Sequence, residues 1–339
     1  MADRLRWGIL GTGNIARQFA TGLVTSRRNR LIAVGSRQLS SARSFAAEFH
    51  VPHAFASYEQ VLHSPDVHVI YVSLPNSLHH DWTIAALQAG KHVLCEKPLA
   101  SNAGEAERMF EAARRAGRVL MEAFMYRSHP QTQAVIDAVA SGTIGALKLI
   151  RTSFCFRTRR IEGNIRFSRE LAGGALMDIG CYCTDFSRLF AGAEPTGMHV
   201  AGHLHESGVD DFAAGTLAFP GGIVASFTCG MSVQADNTAY LCGSEGFIEV
   251  PVPWKPTQGN SGFSIVRGIP PLMDRPAAAQ PAAPPRERRD IPVDQHLYAI
   301  EADDFAATVL DGQPPRITPD QSLGNMRVLD ALRKQLGIL

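Results

Sequence analysis

The sequence predicts an α/β protein in two units: a doubly wound parallel sheet, then a second α+β domain on a large, open, mostly antiparallel sheet. Strand and helix signals alternate over the first 125 residues, which implies parallel pairing. Beyond Gly145 strand follows strand with short Gly, Asp or Pro breaks, which implies antiparallel pairing. The 339 residues are 45% hydrophobic and 19% charged, enough to build cores for two ordinary domains.

The elements follow in order. Leu5–Leu10 is a short apolar strand, and residues 15–24 carry apolar side chains at helical spacing. Leu31–Gly35 is a strand, and 40–49 a helix with serine at its start. Residues 67–74 are strongly β and end at Pro75. Helix 78–89 stops at Gly90, and strand 92–95 stops before Pro98. Ser101 caps a helix to Ala116, with Gly117 behind it, and 119–123 is a further strand. In the second unit 147–156, 211–219, 223–229, 239–242 and 247–252 read as strands, with a helix over 173–190 between them. Helices at 294–310 and 319–336 close the chain. The expected units are therefore 1–125, 126–293 and 294–339. Within them 270–290, rich in Pro and Ala and carrying Arg286, Arg288 and Arg289, reads as an exposed loop. The open sheet face is either wet or an oligomer interface, with an interface favoured.

The charge balance, 33 basic against 32 acidic side chains, argues against nucleic acid or a membrane surface as partner. The clusters Arg27-Arg28 and Arg159-Arg160 read as solvated faces. Six cysteines show no CxxC spacing, so the expectation is reduced thiols and no metal. No apolar run approaches the ~20 residues of a membrane helix. The N-terminus runs directly into the first strand, which predicts no signal peptide and a cytoplasmic protein.

Gly11-Thr12-Gly13-Asn14-Ile15-Ala16 fits G-x-G-x-x-G/A between a strand and a helix. The first glycine permits the tight turn, the second lets the backbone approach a pyrophosphate, and Ala16 lets helix and strand pack closely. An NAD-specific protein places a carboxylate at the end of the second strand. Here Ser36 and Arg37 stand there, a hydroxyl and a guanidinium suited to a 2′-phosphate, so NADP is expected over NAD.

Two later segments offer chemistry: Glu96-Lys97-Pro98, and Gly173-Gly174-Ala175-Leu176-Met177-Asp178-Ile179-Gly180-Cys181-Tyr182. Asp178 and Tyr182 lie four apart, on one face of a helix. Oxidising an alcohol requires removal of its proton, and tyrosine has a pKa of ~10. A neighbouring ammonium would lower that value, and Lys97 follows a strand that should point to the crevice. The expectation is Tyr182 as general acid/base, Lys97 tuning it and holding substrate oxygen, and Asp178 hydrogen-bonding substrate hydroxyls or orienting the pair. His79-His80-Asp81 lacks a third ligand at metal spacing and reads as histidines at a helix start.

These motifs, with Leu74-Pro75-Asn76-Ser77-Leu78-His79, resemble those of the glucose–fructose oxidoreductase, inositol dehydrogenase and rhizopine-catabolism (Gfo/Idh/MocA) family over nearly the whole chain. The resemblance implies an N-terminal Rossmann domain and a C-terminal domain whose open sheet forms homodimers or homotetramers. It implies a nicotinamide cofactor held by Gly11, Thr12, Gly13, Asn14, Ile15, Ser36, Arg37, Leu74, Pro75, Asn76, His79, Glu96 and Lys97, with His79 near the nicotinamide ribose. Many members carry histidine where this chain has Tyr182. Tyrosine there resembles the branch of glucose–fructose oxidoreductase, NADP-dependent xylose dehydrogenase and dimeric dihydrodiol dehydrogenase. The Glu122–Pro130 and Tyr298–Phe305 stretches resemble that branch too. The implied activity is an NADP-dependent sugar dehydrogenase, oxidising an aldose at C1 to the lactone, with Lys97, Arg127, Asp178 and Tyr182 at a small sugar or polyol substrate. Arg127 and His129 line the cleft or cap the following helix, and Asn164 and Arg166 are further substrate-side candidates. The alternatives are a trans-dihydrodiol or dicarbonyl oxidoreductase, favoured by an aromatic-lined cleft, and an NADP-sensing regulator without turnover.

Overall fold

A computed structural model describes residues 4–268 and 282–339. The first sheet has six parallel strands: β1 (Leu5–Leu10), β2 (Asn29–Gly35), β3 (His53–Phe55), β4 (Val69–Val72), β5 (His92–Glu96) and β6 (Leu120–Ala123), in the order β3-β2-β1-β4-β5-β6. Helices α1 (Asn14–Leu23), α2 (Leu39–Phe49), α3 (Tyr58–Leu62), α4 (His79–Gln88) and α5 (Ala103–Ala116) connect them. β1 pairs with β2 on one side and β4 on the other, so the order reverses at β1 and a crevice opens beyond its carboxyl end. Trp7, Phe19 and Tyr71 pack as a ring cluster beneath it, with Phe19 stacked on Tyr71 at 3.9 Å.

Some local expectations need correction. The strand expected over 67–74 is ordered as sheet only at Val69–Val72. β3 and α3 were not expected, because three and five residues are too short to show a period. Asn102, not Ser101, caps α5, its side chain accepting from the Glu105 amide at 3.0 Å.

The second sheet has eight strands: β7 (Leu147–Cys155), β8 (Gly197–Leu204), β9 (Asp210–Ala218), β10 (Val224–Gly230), β11 (Ala239–Gly243), β12 (Gly246–Val250), β13 (Gly262–Arg267) and β14 (Arg286–Asp290), in the order β14-β13-β12-β11-β7-β10-β9-β8. All pairs are antiparallel except β7 with β10. Residues 286–290, read from sequence as loop, form an edge strand with every residue exposed. Its run of charged residues of both signs suits an edge that must not pair further. The Pro/Ala-rich stretch before it lies largely outside the described residues. β8 and β13 were also unassigned from sequence; β8 is a largely exposed edge without an apolar alternation.

Helices α6 (Met125–Ser128) and α7 (Pro130–Ala140) lead into this sheet, and α8 (Cys181–Ala191) packs on β7 and β10. The inner face buries Ile150, Ala213, Leu217, Ala225, Phe227 and Leu241. The other face exposes Phe212, Val224 and Arg151, with Arg151 over the Tyr240 ring at 5.1 Å. Of the closing helices, α9 (Leu297–Asp311) packs on α1 and α6, and α10 (Pro319–Gln335) on α5 and α8. The C-terminal residues thus bind the two sheets together along the seam that contains the crevice.

Candidate active site

Gly11 leaves β1 at φ 100°, and its amide donates to the Gly35 carbonyl at 2.9 Å. Only glycine adopts that conformation without strain. A Cβ on Gly13 would meet nothing within 4 Å, so this loop faces open space where a ligand can approach the backbone. No side chain caps α1, which leaves its first-turn N–H groups available to phosphate oxygens. Ala16 is fully buried; Thr12 and Ile15 are half-buried and Asn14 exposed at the rim. Ser36 and the exposed Arg37 stand at the end of β2. Burial raises the pKa of the Tyr58 phenol, and the nearby Arg37 guanidinium opposes that rise. This cradle fits a dinucleotide, with a hydroxyl and a guanidinium at the end of the neighbouring strand.

Leu74, Pro75 and Asn76 follow β4 at the same crevice. The Asn76 amide donates to the Ala172 carbonyl at 2.9 Å, joining this loop to the second unit. His79 is fully buried, with Nδ1 2.9 Å from the Pro98 carbonyl and Nε2 2.9 Å from the Leu74 carbonyl. Burial lowers its pKa. It is therefore a strut between two crevice loops, not the surface histidine at a helix start that the sequence suggested.

Lys97 follows β5, and its Nζ lies 2.6 Å from the Asp178 carbonyl and 3.1 Å from Asp178 Oδ1. Arg166 Nε donates to Asp178 Oδ2 at 2.5 Å, so both carboxylate oxygens are engaged. Burial works against both charges, but attraction prevails. Lys97 is held above the usual lysine value by Asp178, and Asp178 below the usual carboxylate value by Lys97 and Arg166.

Asp178 lies in a π-helical turn, Leu176–Gly180, where sequence spacing predicted an α-helix; α8 begins only at Cys181. The glycines before it permit this entry. A Cβ on Gly173 would strike the Arg166 carbonyl, and one on Gly174, at φ 116°, would strike Asp210. Buried Asp210 accepts from the Leu176 amide at 2.7 Å, and burial pushes its pKa up to about 7. The π turn still leaves Asp178 and Tyr182 converging on Lys97.

Lys97 Nζ sits 5.1 Å from the centre of the Tyr182 ring, over its face. Phe124, Phe154 and Trp254 enclose that ring at 5.2, 5.3 and 5.9 Å. Among the described residues the hydroxyl meets only the Met125 thioether, at 3.4 Å, a weak acceptor. Burial, with Glu96 nearby, drives the Tyr182 pKa well above that of an ordinary phenol. This direction is opposite to the lowering expected from Lys97, whose ammonium faces the ring and pairs with Asp178.

Arg127 also departs from expectation. It pairs with Asp185 at 3.0 Å, reaches Gln321 at 3.2 Å, and is buried away from the cleft. His129 caps α7 through the Gln131 amide at 3.1 Å. Asn164 caps a short turn through the Arg166 amide at 3.1 Å. His80 pairs with Asp81, and no metal-binding cluster occurs among the described residues.

Lys255 and Trp254 carried no sequence signal, whereas Glu96 and Glu301 lie in stretches that carried one. Lys255, in the loop after β12, donates to Gln18 at 3.3 Å, and its neighbour Trp254 forms part of the Tyr182 cage. Behind Lys97, buried Glu96 accepts from the Tyr71 hydroxyl, and burial raises the Glu96 pKa. Glu301 is buried with neither oxygen hydrogen-bonded among the described residues, and burial pushes its pKa far up. These contacts join segments far apart in the chain, which spacing does not reveal.

A dinucleotide cradle facing a lysine, a carboxylate and a tyrosine defines a dinucleotide-dependent oxidoreductase. Residues 5–124 match the model for an oxidoreductase family with an NAD-binding Rossmann fold, and 132–249 the GFO/IDH/MocA C-terminal domain. Trans-1,2-dihydrobenzene-1,2-diol dehydrogenase of Mus musculus is 39% identical over 75% of this chain and 77% of its own length. An oxidoreductase of Rhizobium meliloti is 33% identical over 98% and 97%. Among solved structures, a 3-ketoreductase from Actinomadura kijaniata with NADP and TDP-benzene is 31% identical, with TM-score 0.85 over 98% of both chains. Aldose-aldose oxidoreductase from Caulobacter crescentus, with glycerol, is 28% identical, with TM-score 0.86 over 98% and 97%. The chain belongs to the Gfo/Idh/MocA oxidoreductase family. No helix among the described residues is long and apolar enough to cross a membrane.

Proposed function

We propose that the protein is an NADP-dependent dehydrogenase that interconverts an aldose and its lactone at C1. The observation that carries this reading is the polar rim beside Tyr182. Lys97 and Asp178 keep partial exposure and Arg166 is 44% exposed, whereas Phe124 and Trp254 are buried and serve as packing. A hydroxyl-rich ring finds donors and acceptors on such a rim. The solved ketoreductase that holds NADP, together with Ser36 and Arg37 here, supports that cofactor.

The bound cofactor supplies the hydride acceptor or donor. Lys97 donates to the substrate oxygen, and Asp178 orients Lys97 and accepts from a neighbouring hydroxyl. Tyr182 moves the proton at its phenol oxygen. Because it is neutral in its cage, it is ready to give a proton in lactone reduction. In aldose oxidation it must first lose its own, so that rate rises with pH through the alkaline range.

The half-buried rings of Phe154 and Phe156 support a second reading, a trans-diol on a flat apolar ring, as do the dihydrodiol dehydrogenase relatives. The test is NADP reduction against aldoses, cyclitols and trans-diols, with Tyr182→Phe as control. Aldose turnover that vanishes in the variant supports the first reading, and turnover of diols alone replaces it with the second. Binding of NADP with no turnover of any compound would return the protein to a sensing role. Arg37→Ala is expected to lower the NADP/NAD preference about tenfold, the scale of one charge-assisted contact. An unchanged preference removes Arg37 from the cofactor site. Copies are proposed to pair through the open sheet face; a monomer in sedimentation would end that proposal.

A further inference from the structure

We propose that the substrate carries an anionic group, a carboxylate or phosphate, received by Lys255 together with Arg166. This rests on the aldose reading of the same site and specifies its substrate as an acidic sugar.

Three cations border the cleft: Lys97, Arg166 and Lys255. Asp178 is the carboxylate on the rim, and both its oxygens are already engaged, by Lys97 and Arg166. Glu96 lies beneath, buried and bonded to Tyr71. Lys255 forms no ion pair with a carboxylate among the described residues. Its Nζ meets the Gln18 amide oxygen at 3.3 Å, and that oxygen also accepts from the Tyr298 hydroxyl at 3.4 Å.

The position of Lys255 is fixed by its neighbour. Trp254 donates from Nε1 to the Ser153 carbonyl at 2.8 Å and stacks on Phe154 at 5.6 Å. Its ring lies 5.9 Å from that of Tyr182, so Lys255 leaves the same wall that encloses the reacting phenol. Partial desolvation by the cleft walls and the positive field of Lys97 pull Lys255 down, and Glu96 and Asp178 oppose them. Facing a neutral ligand, this ammonium would lose water without gaining a countercharge. Facing a carboxylate, it gains a charge-assisted bond. Arg166 adds a second donor: its guanidinium lies 5.9 Å from the Phe156 ring centre and is substantially exposed. The residues proposed for the cofactor's phosphates, the Gly11–Ile15 turn and the Ser36–Arg37 pair, follow β1 and β2 and are separate from Lys255 and Arg166.

The experiment compares D-glucose with D-glucuronate, which differ only in a carboxylate at C6. Turnover is followed with NADP, and binding to the NADP-loaded protein by calorimetry, for wild type and Lys255→Met. The expected result is at least a tenfold preference for glucuronate in both readouts, shrinking as salt rises from about 0.05 to 0.4 M. In Lys255→Met the ratio of the two sugars falls toward one through KM, while NADP affinity holds. Equal binding of the two sugars to wild type would overturn the proposal. So would a variant that loses NADP affinity and keeps the sugar ratio, because that places the lysine on a cofactor phosphate. Binding of glucuronate that depends on Lys255, with no turnover of either sugar, would uphold the anion site and end the aldose reading.

Discussion

Two cation–aspartate pairs cross the same seam between the sheets, and they differ in one respect. Lys97 follows β5 and meets Asp178; Arg127 follows β6 and meets Asp185, seven residues further along the same helical segment. Lys97 and Asp178 keep 13% and 14% of their side chains exposed, against 5% and 2% for Arg127 and Asp185. Tyr126 and Gln321 complete the second pair, so no group in it is left to meet a ligand. The first pair ends at the cleft beside a tyrosine whose hydroxyl, among the described residues, has only a thioether for company. The same chemistry thus leaves an open pair, the proposed reactive site, at the wet end of the seam and a fixed joint at the dry end.

Breaking the wet end should remove activity and leave the fold. Tyr182→Phe and Lys97→Met are expected to lower kcat about 10²–10⁴-fold, the usual contribution of a positioned proton-transfer group. Steady-state kinetics beside a thermal melt checks this; a variant that keeps full turnover takes that residue out of the chemistry. Breaking the dry end should do the reverse. Asp185→Ala leaves the buried Arg127 without a countercharge and should cost about 3–5 kcal/mol in denaturant unfolding. A loss no larger than that of Asp178→Asn would erase the distinction between the two ends.

A third test uses the neighbour of the dry pair. Glu122 is fully buried, with one oxygen accepting from the Leu99 amide at 2.9 Å and the other without a close hydrogen bond among the described residues. Burial pushes its pKa from 4.5 up to about 8. Between those values the unfolded chain releases this proton and the folded chain keeps it. Its contribution to stability is therefore complete below about pH 4.5 and declines toward pH 8, by roughly 1.4 kcal/mol per pH unit. Glu122→Gln should flatten unfolding free energy against pH over that window, and an unaltered slope would show that the carboxyl ionises normally. The smallest effect is expected at the exposed outer partner of the wet pair. Arg166→Gln should change unfolding free energy by less than about 1 kcal/mol, as exposed ion pairs do.

The legibility of the site follows how each part is held. The cofactor cradle is local: a strand, a turn that needs glycine at φ 100°, and a helix start lie within a dozen residues, and each leaves a residue-type mark. The wet pair was legible because Lys97, Asp178 and Tyr182 stand in recognisable motifs, although the motifs did not show that the ammonium would face the ring. Arg127 looked equally suitable, since sequence carries its charge but not its burial. His79 was misplaced for the same reason. Lys255 has no motif, and only the packing of Trp254 brings it to the cleft.

The sequence by itself determined the alternation of β and α in the first unit, the run of strands in the second, and the dinucleotide turn. Each is set by periodicity and backbone conformation over a few neighbouring residues. The tertiary structure alone decided which charged side chains reach water, that the segment bearing Asp178 winds as a π turn, and that burial pushes the Tyr182 phenol above its ordinary value. Those outcomes depend on desolvation and on contacts between residues as far apart as Lys97 and Asp178, which no local pattern encodes.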